Sequence, residues 1–571
     1  MFRTRVAVAV VAAALSITLA ACSSPDVITT GTRPSAPAST WKPSSQTNPA
    51  ALAVPLDSLP DWTPPKAAGG GSYSRAILDN GGRVGWMVLN GDNEVVPDYT
   101  GNGPVAFGDG SVYTKIPGVL TFRGNNFRDA PAYGTADIKQ KKLEVVWTQA
   151  TGDVYAEKSH WAGAGWTGQP LMVNWPKATK QAMGLTDKQV NDPNFVEVIY
   201  PVVDGKVYRL DLATGTQTKS PIDVGFAFKG TGSIDPRGYP LLYAGMGLKE
   251  NGAKTGTWRY RIFDLIQNKE VSGWDGIDPG APRKWGAFDS SALVNAATDT
   301  LIEPAENGLI YKVKLNAKFD AAAKTVSVKP EFHKLNYNTP DSSRHGIESS
   351  AAAWRNLMFA GDNDGNIVCW DATTLQVVWV RPTGDDTDAS IVVQDGPDGP
   401  FLYTGNEMDK RGAAGAKSGP ITIQKLNALT GERVWSYSID AVYNEINGGL
   451  MATPLLGTGD VSDLVFFNIA RTGSDSTGTL VALDAASGAV VWQRRLSAFS
   501  WSSPLLLTGT DGHTYGVIGD SRGLLHLFNP NTGEDYSTLQ LSQNIEASPA
   551  AYGNMLVVGT YAKLLYGIKV S

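Results

Sequence analysis

Short apolar runs bounded by Gly, Asn or Asp recur along this chain in a fixed order. In residues 482–492 (ALDAASGAVVW) one strand is predicted to end at Leu483-Asp484. A tight turn follows through Ser487-Gly488, and the next strand carries Trp492. The same grammar appears at residues 425–435 (KLNALTGERVW), 369–379 (CWDATTLQVVW), 209–219 (RLDLATGTQTK) and 527–537 (LFNPNTGEDYS). Asp or Asn at the strand end bonds its own backbone and starts the turn, and Gly supplies a positive φ at no steric cost. Val-rich flanks suit a pleated sheet. A large ring such as Trp147, Trp379, Trp435 or Trp492 is placed to fill the space between neighbouring sheets. A further Gly often announces the preceding strand, at Gly205, Gly308, Gly365, Gly478 and Gly523. The units return about every 40 to 60 residues, the spacing of propeller blades.

A second element precedes each unit: a small-residue patch leading into an apolar strand. Examples are Gly168-Gln169-Pro170, Ser290-Ser291-Ala292, Ser349-Ser350-Ala351, Ala452-Thr453-Pro454, Ser502-Ser503-Pro504 and Ala547-Ser548-Pro549. Small residues suit the crowded strands nearest a propeller axis. The last unit, LLYGIKV at Leu564–Val570, lacks its Trp strand, while LEVVWTQ at residues 143–149 is a Trp strand without a unit. Pairing the two would close the ring and remove its exposed edges. The fold expected is therefore all-β: an eight-bladed β-propeller of four-stranded antiparallel blades, closed by an N-terminal strand. The count falls to seven if the degenerate unit near residue 260 is left out.

Composition fits this picture, with 62 Gly, 33 Pro and 42% apolar residues among 571. A formal net charge of −6, without a basic stripe, argues against nucleic acid as a partner. Arg3 and Arg5 precede the apolar run Val6 to Leu15, which reads as a secretory signal over residues 1–21. Residues 22–71, rich in Ser, Pro, Thr and Ala, read as a disordered tether. Residues 72–118 contain strand-like pieces at 85–89 and 111–115 and read as a small β appendage; the propeller is expected over 119–571. With only Cys22 and Cys369, no disulfide framework and no Cys-based zinc site is available.

Leu19-Ala20-Ala21-Cys22 resembles the lipobox of bacterial lipoproteins. The resemblance implies cleavage before Cys22, lipidation of that residue, and an extracytoplasmic protein anchored to the outer face of the cytoplasmic membrane. The repeats resemble the pyrroloquinoline-quinone-type β-propeller repeat, Ala-x-Asp-x-x-Thr/Ser-Gly-x-x-x-Trp. Ala482, Asp484, Ser487, Gly488 and Trp492 match it fully; Thr430, Gly431 and Trp435 match with Asn427 in place of the Asp. TFRGN, GWTGQP and TGDDTDAS, beginning at Thr121, Gly165 and Thr383, are similar to segments of an uncharacterised group of secreted bacterial propellers.

That resemblance implies two branches. One holds quinone- and calcium-dependent alcohol and sugar dehydrogenases, the other non-catalytic lipoprotein scaffolds. The alcohol dehydrogenases carry an adjacent Cys pair that is missing here, so no catalytic residue is assigned and no cofactor is expected; quinone with calcium is the rival. Oxygen ligands for a hard cation are offered by Asp385, Asp386 and Asp388, and by Asp362 and Asp364. The plainer readings are a self-bonded loop and a hairpin turn. His160, Trp161 and Trp166 stand where a channel mouth would be, with loop packing as the alternative. The expectation is a monomeric binding or scaffold module whose partners are the membrane, through its lipid, and envelope proteins or cell-wall glycan.

Overall fold

The computed structural model describes residues 27–29, 42–164 and 168–571; the signal segment, Cys22 and Trp166 lie outside the described residues. Eight sheets each supply four antiparallel strands arranged around one axis, so the protein is a β-propeller. The blades comprise residues 171–223, 233–275, 293–338, 352–382, 392–442, 455–496, 505–540, and 550–570 completed by Leu143–Ala150. Seven blades have an outer strand of full length. In the first blade that strand shrinks to Ile222–Asp223, which is the physical basis for counting seven or eight. The unit near residue 260 is a regular blade, with Arg259–Asp264 paired to Leu241–Gly245 on one side and Lys269–Asp275 on the other.

Ring closure joins opposite ends of the chain: Leu564–Val570 pairs antiparallel with Leu143–Ala150, placing Gly567 opposite Trp147. The turn grammar explains how blades dock. Asp484 Oδ1 accepts the Ser487 N–H at 2.7 Å and the Ser487 hydroxyl at 2.6 Å, shaping a turn in which Gly488 takes φ +75°. Trp435 of the previous blade lies on that glycine, and a Cβ added there would fall 2.7 Å from the ring. The indole N–H of Trp435 donates to the Ala485 carbonyl at 3.2 Å. Trp147, Trp379 and Trp492 repeat the contact on Gly215, Gly431 and Gly533, donating to Leu212, Ala428 and Pro530.

The residues before the first blade do not stand apart from the ring. Lys66–Ala68, Ser72–Ala76 and Arg83–Asn90 add three strands to the outer edge of the third blade, with Trp86 opposite Tyr337. The segment 111–115 is not a strand: Asp109 Oδ1 accepts the Ser111 N–H, and Gly110–Val112 forms a 3₁₀ turn. Part of the expected tether also folds onto the ring. Asn48 caps the short helix Pro49–Leu52, and Leu52 and Leu59 are buried. Asn356 holds the backbone of Val54 through both its amide groups, at 2.7 and 3.0 Å. The apolar positions Leu52, Val54, Leu56, Leu59 and Trp62 supply this packing; the surrounding Pro, Ser and Ala masked them in a compositional reading.

Residues 118–136 form a strap across the axis. Gly118–Val119 adds to the inner strand of the first blade, Ala132–Tyr133 to that of the eighth and Thr135–Ala136 to that of the seventh. Between them, the carbonyls of Leu120, Asn126 and Phe127 accept the N–H groups of Ile234, Ala353 and Val393. All these contacts fall on the later part of the inner strands, so the strap closes the end toward which those strands run.

Candidate functional site

At the opposite end, the small-residue patches form a hydrogen-bonded belt. The Gln169 N–H donates to Thr231 Oγ1 at 2.7 Å, Ser291 to Ser350 Oγ at 2.9 Å, and Ser350 to Ser390 Oγ at 2.9 Å. Thr453 donates to Ser503 Oγ at 3.0 Å, and Ser503 to Ser548 Oγ at 3.1 Å. At these five junctions a hydroxyl of one blade satisfies a backbone donor of its neighbour, as buried N–H groups require, and at the closing junction the Ser548 N–H donates to the Gly168 carbonyl at 3.1 Å. Two positions before the belt, the chain presents Lys229, Asp289, Glu348, Asp388 and Met451 in successive blades. Asp289, Glu348, Asp388 and Met451 line a small axial pocket floored by Phe122 of the strap.

Three further acids stand behind this wall, on turns between the second and third strands or on the loops into the inner strands: Glu306, Asp386 and Glu407, all buried. Two trios result, Asp289–Glu306–Glu348 and Asp386–Asp388–Glu407, each with ligand oxygens within 4.8 Å of one another. Few cations answer them. Lys229 Nζ bonds Asp289 at 2.6 Å, Arg283 lies 3.8 Å from Glu306, and Arg344 lies 3.4 Å from Asp386 while also bonding Asp409. Burial opposes the charge of Lys229, but Asp289, Glu348 and Glu306 outweigh it and hold its ammonium above the ordinary value. Burial pushes the carboxyls of Glu306, Glu348, Asp386, Asp388 and Glu407 upward, and their acidic neighbours push the same way.

The residues expected from sequence divide by what their oxygens already bond. Asp385 is structural: Oδ1 accepts the N–H groups of Asp386 at 2.9 Å, Lys410 at 2.7 Å and Asp409 at 3.2 Å, and Oδ2 accepts Arg411 Nε at 2.6 Å. Asp364 caps a loop by accepting three successive N–H groups, from Ser343, Arg344 and His345. Asp362 accepts Tyr337 Oη at 3.0 Å and the Asn366 N–H at 2.8 Å, and burial first, then Asp364, raises its carboxyl to about 6. Asp386 and Asp388 are brought to the axis. Glu407, Glu348, Glu306, Asp289 and Lys229 were not singled out by sequence; the offset from the belt locates Lys229, Asp289 and Glu348 by position rather than by residue type.

His160 and Trp161 lie on the hairpin Asp153–Ala156 / Ser159–Ala162 beside the axis. His160 is exposed, 3.6 Å from Asp153. Trp161 is half-buried, donates to the Ala156 carbonyl at 3.2 Å, and has Lys229 Nζ 5.9 Å from its ring.

The axial pocket has room for about 20 Å³, the space of one water molecule or one ion. A tricyclic quinone would require the pocket to widen. The cysteine pair that would stack on it has no counterpart, since Cys369 is buried inside the strand Asn366–Asp371 and burial pushes its thiol up. The carboxylate trios, by contrast, are a donor set suited to a hard cation.

A family model described as outer membrane protein assembly factor BamB matches residues 421–517 and 476–570. The assembly factor BamB of Legionella pneumophila (strain Paris) is 32% identical over 99 residues, 17% of this chain and 24% of the relative. The match therefore spans about a quarter of that relative's length. Among solved structures, BamB from Moraxella catarrhalis aligns with 65% of this chain and 93% of its own at 16% identity and a TM-score of 0.43. The quinohemoprotein alcohol dehydrogenase ADHIIG from Pseudomonas putida HK5 aligns over 80% of both chains at 12% identity and a TM-score of 0.50, a likeness of fold. No helix among the described residues is long and apolar enough to cross a membrane. Repeat grammar, blade docking and the match over residues 421–570 together support a PQQ-like β-propeller.

Proposed function

We propose that this chain is a lipid-anchored, extracytoplasmic propeller acting as a non-catalytic binding scaffold in the cell envelope. The reading is carried by three of the nine exposed large apolar side chains among the described residues; four of the others lie on outer strands. Tyr155, Ile277 and Ile446, exposed by 42%, 47% and 45%, all belong to loops that lead into inner strands, on the face that bears the acidic pocket. Exposed apolar groups grouped on one loop face of a rigid ring mark a contact surface. The strap fills the other end of the axis, and the family match to an outer membrane assembly factor supports the scaffold role. Cys22 serves as the lipid attachment point in this reading.

The test is photocrosslinking in cells from Tyr155, Ile277 and Ile446, with Val271 and Val434 on outer strands as the comparison. Discrete adducts to envelope proteins are expected from the first set only. Equal labelling from both sets would overturn the assignment of this face. Titration of the purified protein with pyrroloquinoline quinone and calcium is expected to give no stoichiometric absorbance band; a saturable band with dye reduction would establish the dehydrogenase instead.

A further inference from the structure

The third and fourth blades meet without a Trp-on-Gly contact. Two positions before the end of the third strand, the fourth, fifth and sixth blades pair Cys369, Lys425 and Ala482 with Trp379, Trp435 and Trp492. The third blade pairs Lys312 with His333 at that position. The turn that would receive an indole carries Leu375, where Gly431 and Gly488 stand in the next two blades. Lys312 Nζ instead donates to the Thr373 carbonyl of this turn. An imidazole fills less of the seam than an indole, and residues 99–105 roof what is left. Tyr99 stacks on His333 with ring centroids 4.3 Å apart, and the Val105 N–H donates to Thr373 Oγ1 at 3.0 Å. A cavity of about 480 Å³ remains beneath the roof, within the range of small-molecule sites.

The cavity wall holds a cation without a counter-charge. Lys312 is 7% exposed, and among the described residues no carboxylate lies within ion-pair distance of it. Burial pulls its ammonium down to about 8, only partly opposed by Asp371. Burial first, then Lys312, lowers His333, so the ring opposite is neutral at pH 7 and adds surface rather than charge. Lys314 brings a second ammonium to the rim; its nearest acid, Asp299 at 3.6 Å, also bonds Arg237. A buried cation left unpaired is costly, and the anion that answers it from an open cavity is a ligand's. Asn102, Asn316 and Thr300 bring amides and a hydroxyl to the same wall, groups that recognise hydroxyls, and Tyr99 adds an aromatic surface. We propose that this cavity binds an acidic sugar of one or two rings, its carboxylate answering Lys312 and Lys314. The site lies at the seam of two blades, away from the acidic mouth, and stands or falls separately from the scaffold reading.

The experiment titrates the full chain calorimetrically at pH 7 with glucuronate, galacturonate and N-acetylmuramate, using glucose and inorganic phosphate for comparison. At least one of the acids should bind once per chain with a Kd below about 1 mM, and about tenfold or more tighter than either comparison compound. Lys312→Met and Lys314→Met should each weaken that binding by about tenfold, whereas Lys139→Met, on an exposed side chain outside the cavity, should leave it unchanged. Lys314 is exposed at the rim, so its variant reads the site even where Lys312→Met does not fold. The proposal is overturned if none of the three acids binds at up to about 10 mM. Phosphate binding within tenfold of the best acid would overturn it too, because charge alone would then account for the site. So would an affinity for the acid that is the same in both cavity variants as in the native chain.

Discussion

Arg123 and Arg128 sit in the same strap, both wholly buried and both at positive φ, 54° and 62°. Their guanidinium groups meet different surroundings. Arg128 donates to the carbonyls of Ala351 at 2.8 Å, Phe122 at 2.8 Å and Ser291 at 2.7 Å, and to Thr121 Oγ1 at 2.8 Å, tying the strap to the third and fourth blades. None of the three guanidinium nitrogens of Arg123 has a partner, and burial, only partly opposed by Asp129, pulls its pKa down to about 9. A buried charge with a full set of hydrogen bonds is costly to delete, and one without them is costly to keep. Arg128→Met should therefore destabilise the fold by about 3 kcal/mol or more, while Arg123→Met should range from no effect to a gain of about 2 kcal/mol. The backbone cost is shared, so denaturant midpoints of the two variants compare the side chains directly. Equal losses from both would mean that Arg123 has partners in solution as strong as those of Arg128.

At the scale of the blade, the turn glycine serves two purposes that can be separated. Gly512 has φ +84° with open space around its Cβ direction, whereas Gly488 has φ +75° with Trp435 only 2.7 Å away. Ala at Gly512 should cost about 1–2 kcal/mol, the price of a left-handed conformation. Ala at Gly488 should cost that and roughly 2 kcal/mol more, because the indole must leave its seat on the next blade. Similar midpoints for the two variants would show that Trp435 tolerates displacement. This pairing of Trp with the next turn's Gly is a local signal repeated several times, which is why blade architecture and the closing strand at residues 143–149 were legible in one sequence. Of the axial acids, only Asp386 and Asp388 were. Positions two before the belt hold Lys229, Asp289, Glu348, Asp388 and Met451, which share a location and no common chemistry, so no residue pattern announces them. Glu407 was harder still, because its blade carries an insertion around Lys410–Ala413 where other blades have a Gly turn. Asp362 and Asp364 read equally well as turn or ligand, and only their bond partners separate the two. The edge that receives residues 66–90 depends on a pairing with Glu331–Asn338, which nothing local encodes.

Closure of the whole ring makes one quantitative demand. In an open stack of blades, the outermost strand would have a neighbour on one side only, and its Trp would be cheap to remove. Here Trp147 of the closing strand is 7% exposed and Trp435, in the interior of the series, is 8% exposed. Both lie on a turn glycine of the following blade and both donate an indole N–H to a carbonyl there, Leu212 for Trp147 and Ala485 for Trp435. If the closed ring persists in solution, Trp147→Ala and Trp435→Ala should cost the same to within about 1 kcal/mol, each about 3–5 kcal/mol. A small loss at Trp147 beside a large one at Trp435 would mean that the ring opens between the eighth and first blades. Kinetics supply an independent reading of the same closure. The contact joins Leu143–Ala150 to Leu564–Val570, so it bears one of the largest loop-closure costs in the molecule and belongs late in folding, after the transition state. Trp147→Ala should accordingly accelerate unfolding by close to the full factor set by its equilibrium loss and leave the folding rate nearly unchanged. A slowed folding rate would place closure before the barrier, with the propeller assembling around a preformed seam between Leu143–Ala150 and Leu564–Val570.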